Sequence, residues 1–217
     1  MRLTVTPLRA GMARPPAFTG RTARGSTKAI CISLLLAAGA AAAGGAERRE
    51  PDIVVYFHHG NKSAAIVGSA EAQAQRMLAS VGISVAWRLG TPNYDGRAEV
   101  IEAVLGERTA EDFRPGSLAF ATLGLQAGTR IEILYDRVQA SGPAVATPSI
   151  LAHVLVHEIT HVLEGVSRHS ESGVMKAHWD ADDFRHMHSR LRFAAEDIQL
   201  IHAWTERHNR TLLAAVR

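Results

Sequence analysis

The chain has 217 residues, with 24 basic and 21 acidic side chains, 11 histidines and a single cysteine. Hydrophobic residues make up 47% of it, which is enough for a folded core and excludes a disordered, highly charged chain. With one cysteine, the chain can form neither an internal disulfide nor a thiolate metal cluster.

The first 46 residues differ in composition from the rest. They hold six basic residues and no acidic one, and an apolar stretch precedes the small residues Gly44-Gly45-Ala46. A basic start, a short apolar centre and small residues are typical of a secretory signal peptide. We therefore predict that residues 1–46 are a signal peptide or an N-terminal anchor, and that the protein is secreted or periplasmic. Residues 47–217 are predicted to form one domain without a stable membrane span.

The basic excess belongs to this N-terminal segment. Residues 47–217 keep 18 of the 24 basic side chains and all 21 acidic ones, a balance of −3. The positive charge of the whole chain is therefore no evidence for a nucleic-acid partner, and we predict that the domain has none.

Taken in chain order, the domain alternates between strand and helix patterns. Short apolar or alternating runs rich in β-branched residues predict strands at 53–57, 83–87, 99–105, 117–123 and 131–135. Longer patterns predict helices from Ser63 to Ser80 and from about Ala194 to His208. These elements predict an α+β domain with a mixed sheet.

A further helix is predicted from the apolar run Ile150–Val156, which continues into the sequence HEITH at 157–161. Thr147 or Ser149 is expected as its N-cap, with Pro148 in the first turn. Gly165 is a natural end for this helix, because glycine adopts the left-handed conformation without a side-chain penalty.

Two histidines of this helix have the spacing of metal ligands. Residues four apart lie on one helix face, so His157 and His161 can hold one zinc ion from the same side. Glu158 would lie beside the open position of the metal, where a carboxylate can take a proton from water. After the helix, the chain can turn back at Gly165 and offer His169 as a third ligand.

The stretch 157–175 resembles the signature of the metzincin zinc proteases. In that family a glycine and a third histidine follow the first pair, and a turn ending in methionine forms an apolar floor beneath the zinc. Three residues separate His161 from Gly165 and Gly165 from His169, where the family pattern has two. The resemblance implies a zincin or metzincin-like domain with an active-site helix and a C-terminal helix, zinc held by the three histidines, and Glu158 as general base.

Residues 150–180, through Trp179, are also similar to predicted bacterial secreted zinc proteases, and the remainder is similar only in layout. In related folds an extended substrate pairs with an exposed sheet edge above the metal. The strand at residues 118–122 is the candidate edge, with an ordinary core strand as the alternative.

Other acidic residues could supply the third ligand. Glu164 lies seven residues after His157 on the same helix face, but one helix would then supply every ligand, which suits a tetrahedral site poorly. Glu196, on the final helix, would provide a carboxylate from a second helix.

The remaining histidines have more than one interpretation. His153 lies one turn before His157 and either packs in the domain or supports a ligand from behind. Because no tyrosine follows Met175, one of His178, His186 and His188 could stabilise a developing oxyanion.

These features predict a monomeric zinc metalloendopeptidase that acts on peptides or proteins. One alternative is a zinc-dependent hydrolase of a non-peptide amide, since the same site attacks any suitably placed carbonyl. Another is a secreted binding protein whose zinc site is closed by a fourth ligand such as His178 or Glu164.

Overall fold

The apolar segment at residues 53–57 forms a strand inside a five-stranded sheet. The structure, a computed structural model, describes residues 50–106, 116–124 and 128–215. The strands in chain order are β1 (Ile53–His58), β2 (Val85–Arg88), β3 (Glu99–Gly106), β4 (Ala119–Gly124) and β5 (Gly128–Leu134). They lie side by side as β2-β1-β3-β5-β4, with β4 antiparallel to β5 and every other pair parallel. The sheet is therefore mixed, and β4 lies at its edge.

Helices separate and follow the strands. They are α1 (Ala64–Ala79), α2 (Tyr135–Ala140), α3 (Thr147–Glu164), α4 (Ala181–His186) and α5 (Ala195–Ala215). The α+β prediction is confirmed, and each predicted strand and helix is present, although α5 continues to Ala215, well beyond its predicted end at about His208. The short helices α2 and α4 were not predicted, because six residues are too few to show a helical period. Tyr135, predicted as the end of a strand, is the first residue of α2.

The main core lies on one face of the sheet. Ile53, Val55 and Phe57 point into the same buried cluster as the apolar side chains of α1 and α3. Their neighbours in β1, Val54 and Tyr56, belong to a small separate cluster on the other face. This alternation follows from the two-residue period of a strand and places α1 and α3 against the same side of the sheet.

Helix α3 is stabilised mainly by the burial of its apolar side chains. Five of its large apolar side chains are at most 1% exposed, namely Ile150, Leu151, Leu155, Ile159 and Leu163. Each contributes roughly 1.5–3 kcal/mol on burial, which outweighs the ~1 kcal/mol that a side-chain cap provides.

The predicted cap of α3 is wrong. Thr147 is already helical, and the N-cap residue is Ala146, which has no side chain able to cap. A 3₁₀ helix at Ala144–Ala146 runs directly into α3, and the carbonyl of Ala144 accepts the backbone N–H of Thr147. A backbone carbonyl of the 3₁₀ helix therefore satisfies one of the N–H groups at the start of α3.

The described residues all belong to one compact unit, Ala46–Arg217. The predicted signal peptide or anchor at residues 1–46 lies outside the described residues. None of the helices that the structure describes is long and apolar enough to cross a membrane.

Gly165 ends α3 as predicted, with a φ of 67° and its N–H bonded to the His161 carbonyl at 3.0 Å. Gly68 lies within α1, and a Cβ at either glycine would meet nothing within 4 Å. The two positions therefore differ in backbone conformation and not in available space.

We predict that Gly165→Ala lowers the free energy of unfolding by about 1–2 kcal/mol, because the left-handed conformation penalises a side chain. The control Gly68→Ala should raise it by about 0.5–1 kcal/mol through helix propensity. Urea unfolding measures both, and equal effects of the two substitutions would contradict the left-handed end of α3.

Candidate metal centre

The two helix histidines are oriented by backbone carbonyl groups. Nδ1 of His157 donates to the Val174 carbonyl at 2.9 Å, and Nδ1 of His161 donates to the Val166 carbonyl at 3.2 Å. Because a carbonyl oxygen only accepts, the proton of each ring is on Nδ1 and each Nε2 keeps its lone pair. The two Nε2 atoms face each other at 3.1 Å.

These imidazoles are held in the neutral form that binds metals. Burial lowers the pKa of His157 to about 4, and it also lowers the pKa of His161. A neutral histidine at neutral pH needs no proton removed before it can donate its lone pair.

His169 joins this pair from the segment after α3. One ligand nitrogen from each of the three histidines lies within 4.8 Å of the other two. The ring of His169 stacks on that of His157, with centroids 5.3 Å apart, and meets the ring of His161 edge-on at 5.0 Å. The structure therefore brings all three predicted ligands together.

The donor set fits zinc. Two nitrogens at 2.0–2.1 Å from a tetrahedral ion are about 3.3 Å apart, close to the observed separation of the Nε2 atoms of His157 and His161. Three imidazoles without a thiolate are also a common ligand set of catalytic zinc.

A tight turn at residues 170–176 supports the histidines. The backbone N–H of Ser170 donates to the Met175 carbonyl at 2.9 Å, and the N–H of Val174 donates to the Arg192 carbonyl at 3.0 Å. Gly173 has a φ of 82°, and a Cβ there would lie 2.1 Å from the Arg192 oxygen, so only glycine fits. Met175 is fully buried in the main core.

Glu158 lies beside the histidines with only 8% of its surface exposed. Burial raises its pKa to about 7. A carboxyl group with this pKa can both accept and release a proton near neutral pH, as general acid–base chemistry requires.

A cleft of about 930 Å³ connects these groups with the edge of the sheet. The predicted edge position of residues 118–122 is confirmed, since among the described strands β4 pairs only with β5. The cleft is lined by the segment leading into β4, by α3 and by the chain after the turn; these residues include Ser117, Leu118, Ala119, Phe120, Ala121, Val154, His157, Glu158, His161, His169, Lys176, His178, Trp179 and Phe184.

Neither acidic candidate for the third ligand joins the histidines. The buried Glu164 side chain faces Arg168, with Oε2 3.8 Å from its Nε. The Glu196 side chain is 70% exposed and lies 3.4 Å from the Arg168 guanidinium. Among the described residues, the group that could hold a metal includes neither Glu164 nor Glu196.

His178 and Glu164 were also candidates for a fourth, closing ligand. Within the described residues, the group that could hold a metal contains only the three histidines. His178 lines the cleft and stays available as an oxyanion-stabilising residue. His186 and His188 do not line the cleft, and their Nδ1 atoms donate to the carbonyls of Asp182 and Arg185.

His153 is a fully buried packing residue. Its Nδ1 donates to the Ser149 carbonyl at 2.7 Å, and its Nε2 accepts the Leu191 N–H at 3.0 Å. Both ring nitrogens are satisfied, so His153 joins α3 to the segment before α5 and offers no lone pair to a metal. Trp179 packs edge-on against both His153 and His157.

Sequence reasoning did not identify the carbonyl groups of Val166 and Val174 as partners of the imidazoles. Backbone acceptors leave no residue-type signal, and only the nearby Gly165 and Gly173 indicate that the chain turns sharply at these points.

Comparison with known proteins adds no family to this picture. A scan against protein-family models finds no match to the chain, and a search of curated proteins finds none either. The function must therefore be inferred from the arrangement of the three histidines and Glu158.

We predict that Glu158→Gln stabilises the zinc-free protein in a pH-dependent manner. The pKa of Glu158 is raised from 4.5 to about 7 on folding, so its protonated form stabilises the fold below pH 4.5 and this contribution is lost as the pH rises through 7. The free energy of unfolding of the variant should equal that of wild type near pH 4.5 and exceed it by up to about 3 kcal/mol above pH 7.

Urea unfolding of chelator-treated protein from pH 4.5 to 8 measures this difference. The exposed Glu206→Gln provides the control and should show no such rise. A difference between Glu158→Gln and wild type that is the same at every pH would contradict the buried, raised-pKa environment.

Proposed function

We propose that this protein is an exported, monomeric zinc-dependent metalloendopeptidase with a metzincin-like domain. Zinc would be held by His157, His161 and His169, and Glu158 would serve as general base. The observation that carries the proposal is the convergence of three imidazoles, two of which have their Nε2 atoms 3.1 Å apart.

The histidine arrangement favours a bound cation. Two lone pairs that face each other at this distance repel, and a shared positive ion replaces that repulsion with two coordinate bonds. Imidazole ligands suit zinc, and a site with three protein ligands leaves a position for water or substrate. The carbonyl groups that accept from His157 and His161 provide the outer hydrogen bonds by which such ligands are usually oriented.

Zinc bound here would polarise a substrate carbonyl and lower the pKa of water at the site. Glu158 would take the proton from the attacking water and pass it to the leaving amine. Its raised pKa, about 7, suits both transfers, because the carboxyl group gains and loses a proton at similar cost near neutral pH.

The edge strand favours a peptide as the substrate. An edge strand presents unpaired N–H and C=O groups, and an extended peptide can add to it as a further strand. Four consecutive residues around the start of β4, Leu118–Ala121, line the same cleft as the three histidines and Glu158. A peptide paired with β4 would therefore pass the candidate catalytic groups.

Several features support a relationship to the metzincins. They are the mixed sheet with its antiparallel edge strand, the glycine that ends α3, the third histidine after it and the turn with a buried Met175. The spacing differs from the family pattern by one residue in each gap, so we propose a metzincin-like relative.

We predict that the purified full chain contains about one zinc per molecule and hydrolyses an unfolded protein such as casein. Glu158→Gln should keep its zinc and lose about 10²–10⁴-fold in kcat/KM, because only the proton transfer is removed. His169→Ala should bind zinc far more weakly, so that zinc is lost on purification, and should lose activity with it. Elemental analysis and a casein assay on the same preparations measure both properties.

The control is His202→Ala, which removes an exposed histidine of α5 and should change neither property. Stoichiometric zinc in a wild-type protein that hydrolyses no peptide bond would contradict the peptidase proposal and favour a non-peptide substrate. A wild-type protein that takes up no zinc would contradict the metal centre itself.

A further inference from the structure

The third histidine is held differently from the other two. The rings of His157 and His161 are each fixed by a hydrogen bond to a carbonyl, whereas the ring of His169 makes no hydrogen bond to the described residues and packs against the other two imidazoles. His169 is also exposed. Its position therefore depends on what holds its backbone.

One buried carboxylate holds the residues on both sides of His169. Oδ1 of Asp197 accepts hydrogen bonds from the Arg168 guanidinium at 2.5 Å and from the Ser170 hydroxyl at 2.6 Å. Asp197 is fully buried, and hydrogen bonds to a charged group are stronger than those between neutral groups. The hydrogen bonds of Arg168 and Ser170 to Asp197 therefore restrain the backbone at His169 from both sides.

Asp197 is itself fixed to helix α5. Its other oxygen, Oδ2, accepts the backbone N–H of Ala194 at 2.9 Å, the residue immediately before the helix. A carboxylate in the first turn is also favoured by the positive end of the helix dipole. The carboxylate therefore has little freedom to move away from the His169 segment.

The same segment is connected to the turn that orients His157. The Ser170 N–H bonds to the Met175 carbonyl, and Val174, next to Met175, accepts from His157 Nδ1. A displacement of Ser170 would therefore disturb two of the three imidazoles.

Stability alone gives a weak reason for burying Asp197 against the partly exposed Arg168. Replacing a buried ion pair with apolar side chains is often neutral or stabilising, because desolvation offsets the attraction between the charges. Arg168 also pairs with the exposed Glu196, so it would keep an acidic partner without Asp197.

We propose that Asp197 is a positioning residue for the third zinc ligand, acting through Arg168 and Ser170. This inference rests on the proposed zinc site, and it makes metal affinity depend on a residue of α5 that does not touch the metal ligands. Hydrogen bonds made directly to metal ligands typically contribute 10–100-fold to metal affinity. Asp197 acts through both neighbours of His169 instead, and we expect an effect of the same order.

The test uses the full chain and measures zinc affinity by competition with a chromophoric chelator, together with the visible spectrum of the cobalt(II)-substituted protein. Asp197→Asn should bind zinc about 10–100-fold more weakly and shift the cobalt bands. Ser170→Ala, which removes one of the two contacts, should lose about tenfold in zinc affinity. The matched control Glu196→Gln should stay within about twofold of wild type, because this carboxylate is exposed.

A double-mutant comparison separates positioning from general stability. If Asp197 acts through His169, then Asp197→Asn should weaken zinc binding much less in the His169→Ala background, titrated at raised zinc concentration, than in the wild-type background. Full additivity of the two substitutions would overturn the proposal, as would wild-type affinity and spectrum in Asp197→Asn.

Two outcomes keep the proposals separate. Absence of zinc binding in wild type would overturn the zinc site and this inference with it, whereas zinc binding that is insensitive to Asp197 would overturn only the positioning role. If Asp197→Asn does not fold, Ser170→Ala decides, and wild-type affinity in that variant overturns the proposal.

Discussion

The hydrogen bond between Nδ1 of His157 and the Val174 carbonyl is the contact on which the candidate centre depends most. It places the proton on the nitrogen that faces away from the site and leaves the other lone pair directed into it. The acceptor is in place because the Val174 N–H bonds to Arg192 and because Gly173 allows the close approach of that carbonyl. A helix face, a turn and the segment before α5 therefore meet at one imidazole.

Burial determines the hydrogen bonding and the pKa of the polar side chains around this contact. A helix that buried only apolar side chains would be more stable, yet α3 also buries His153 and Glu158. His153 is satisfied at both ring nitrogens and so serves the packing. Glu158 has a pKa raised to about 7 by desolvation, which is a cost to the fold and an advantage to a proton-transferring group. Such conflicts between stability and chemistry are expected at functional sites.

Most of the fold, and the histidines that meet, could be predicted from the sequence because both leave local patterns. A run of β-branched and aromatic residues marks β1, alternation marks the strands predicted at 83–87 and 131–135, a continuous apolar run marks α3, and a four-residue spacing places His157 and His161 on one face. The cap of α3 could not be predicted, because its first hydrogen bond comes from a preceding 3₁₀ helix. The contact between Asp197 and the His169 segment joins residues far apart in the chain, so no local pattern indicates it.

Anomalous diffraction at the zinc edge, from crystals of the full chain grown with zinc, tests the central claim most directly. We expect one strong peak within about 2.0–2.1 Å of a ring nitrogen of each of His157, His161 and His169, with no fourth protein ligand. A crystal with no peak between these imidazoles, or with zinc bound elsewhere, would contradict the metal centre on which the proposed function depends.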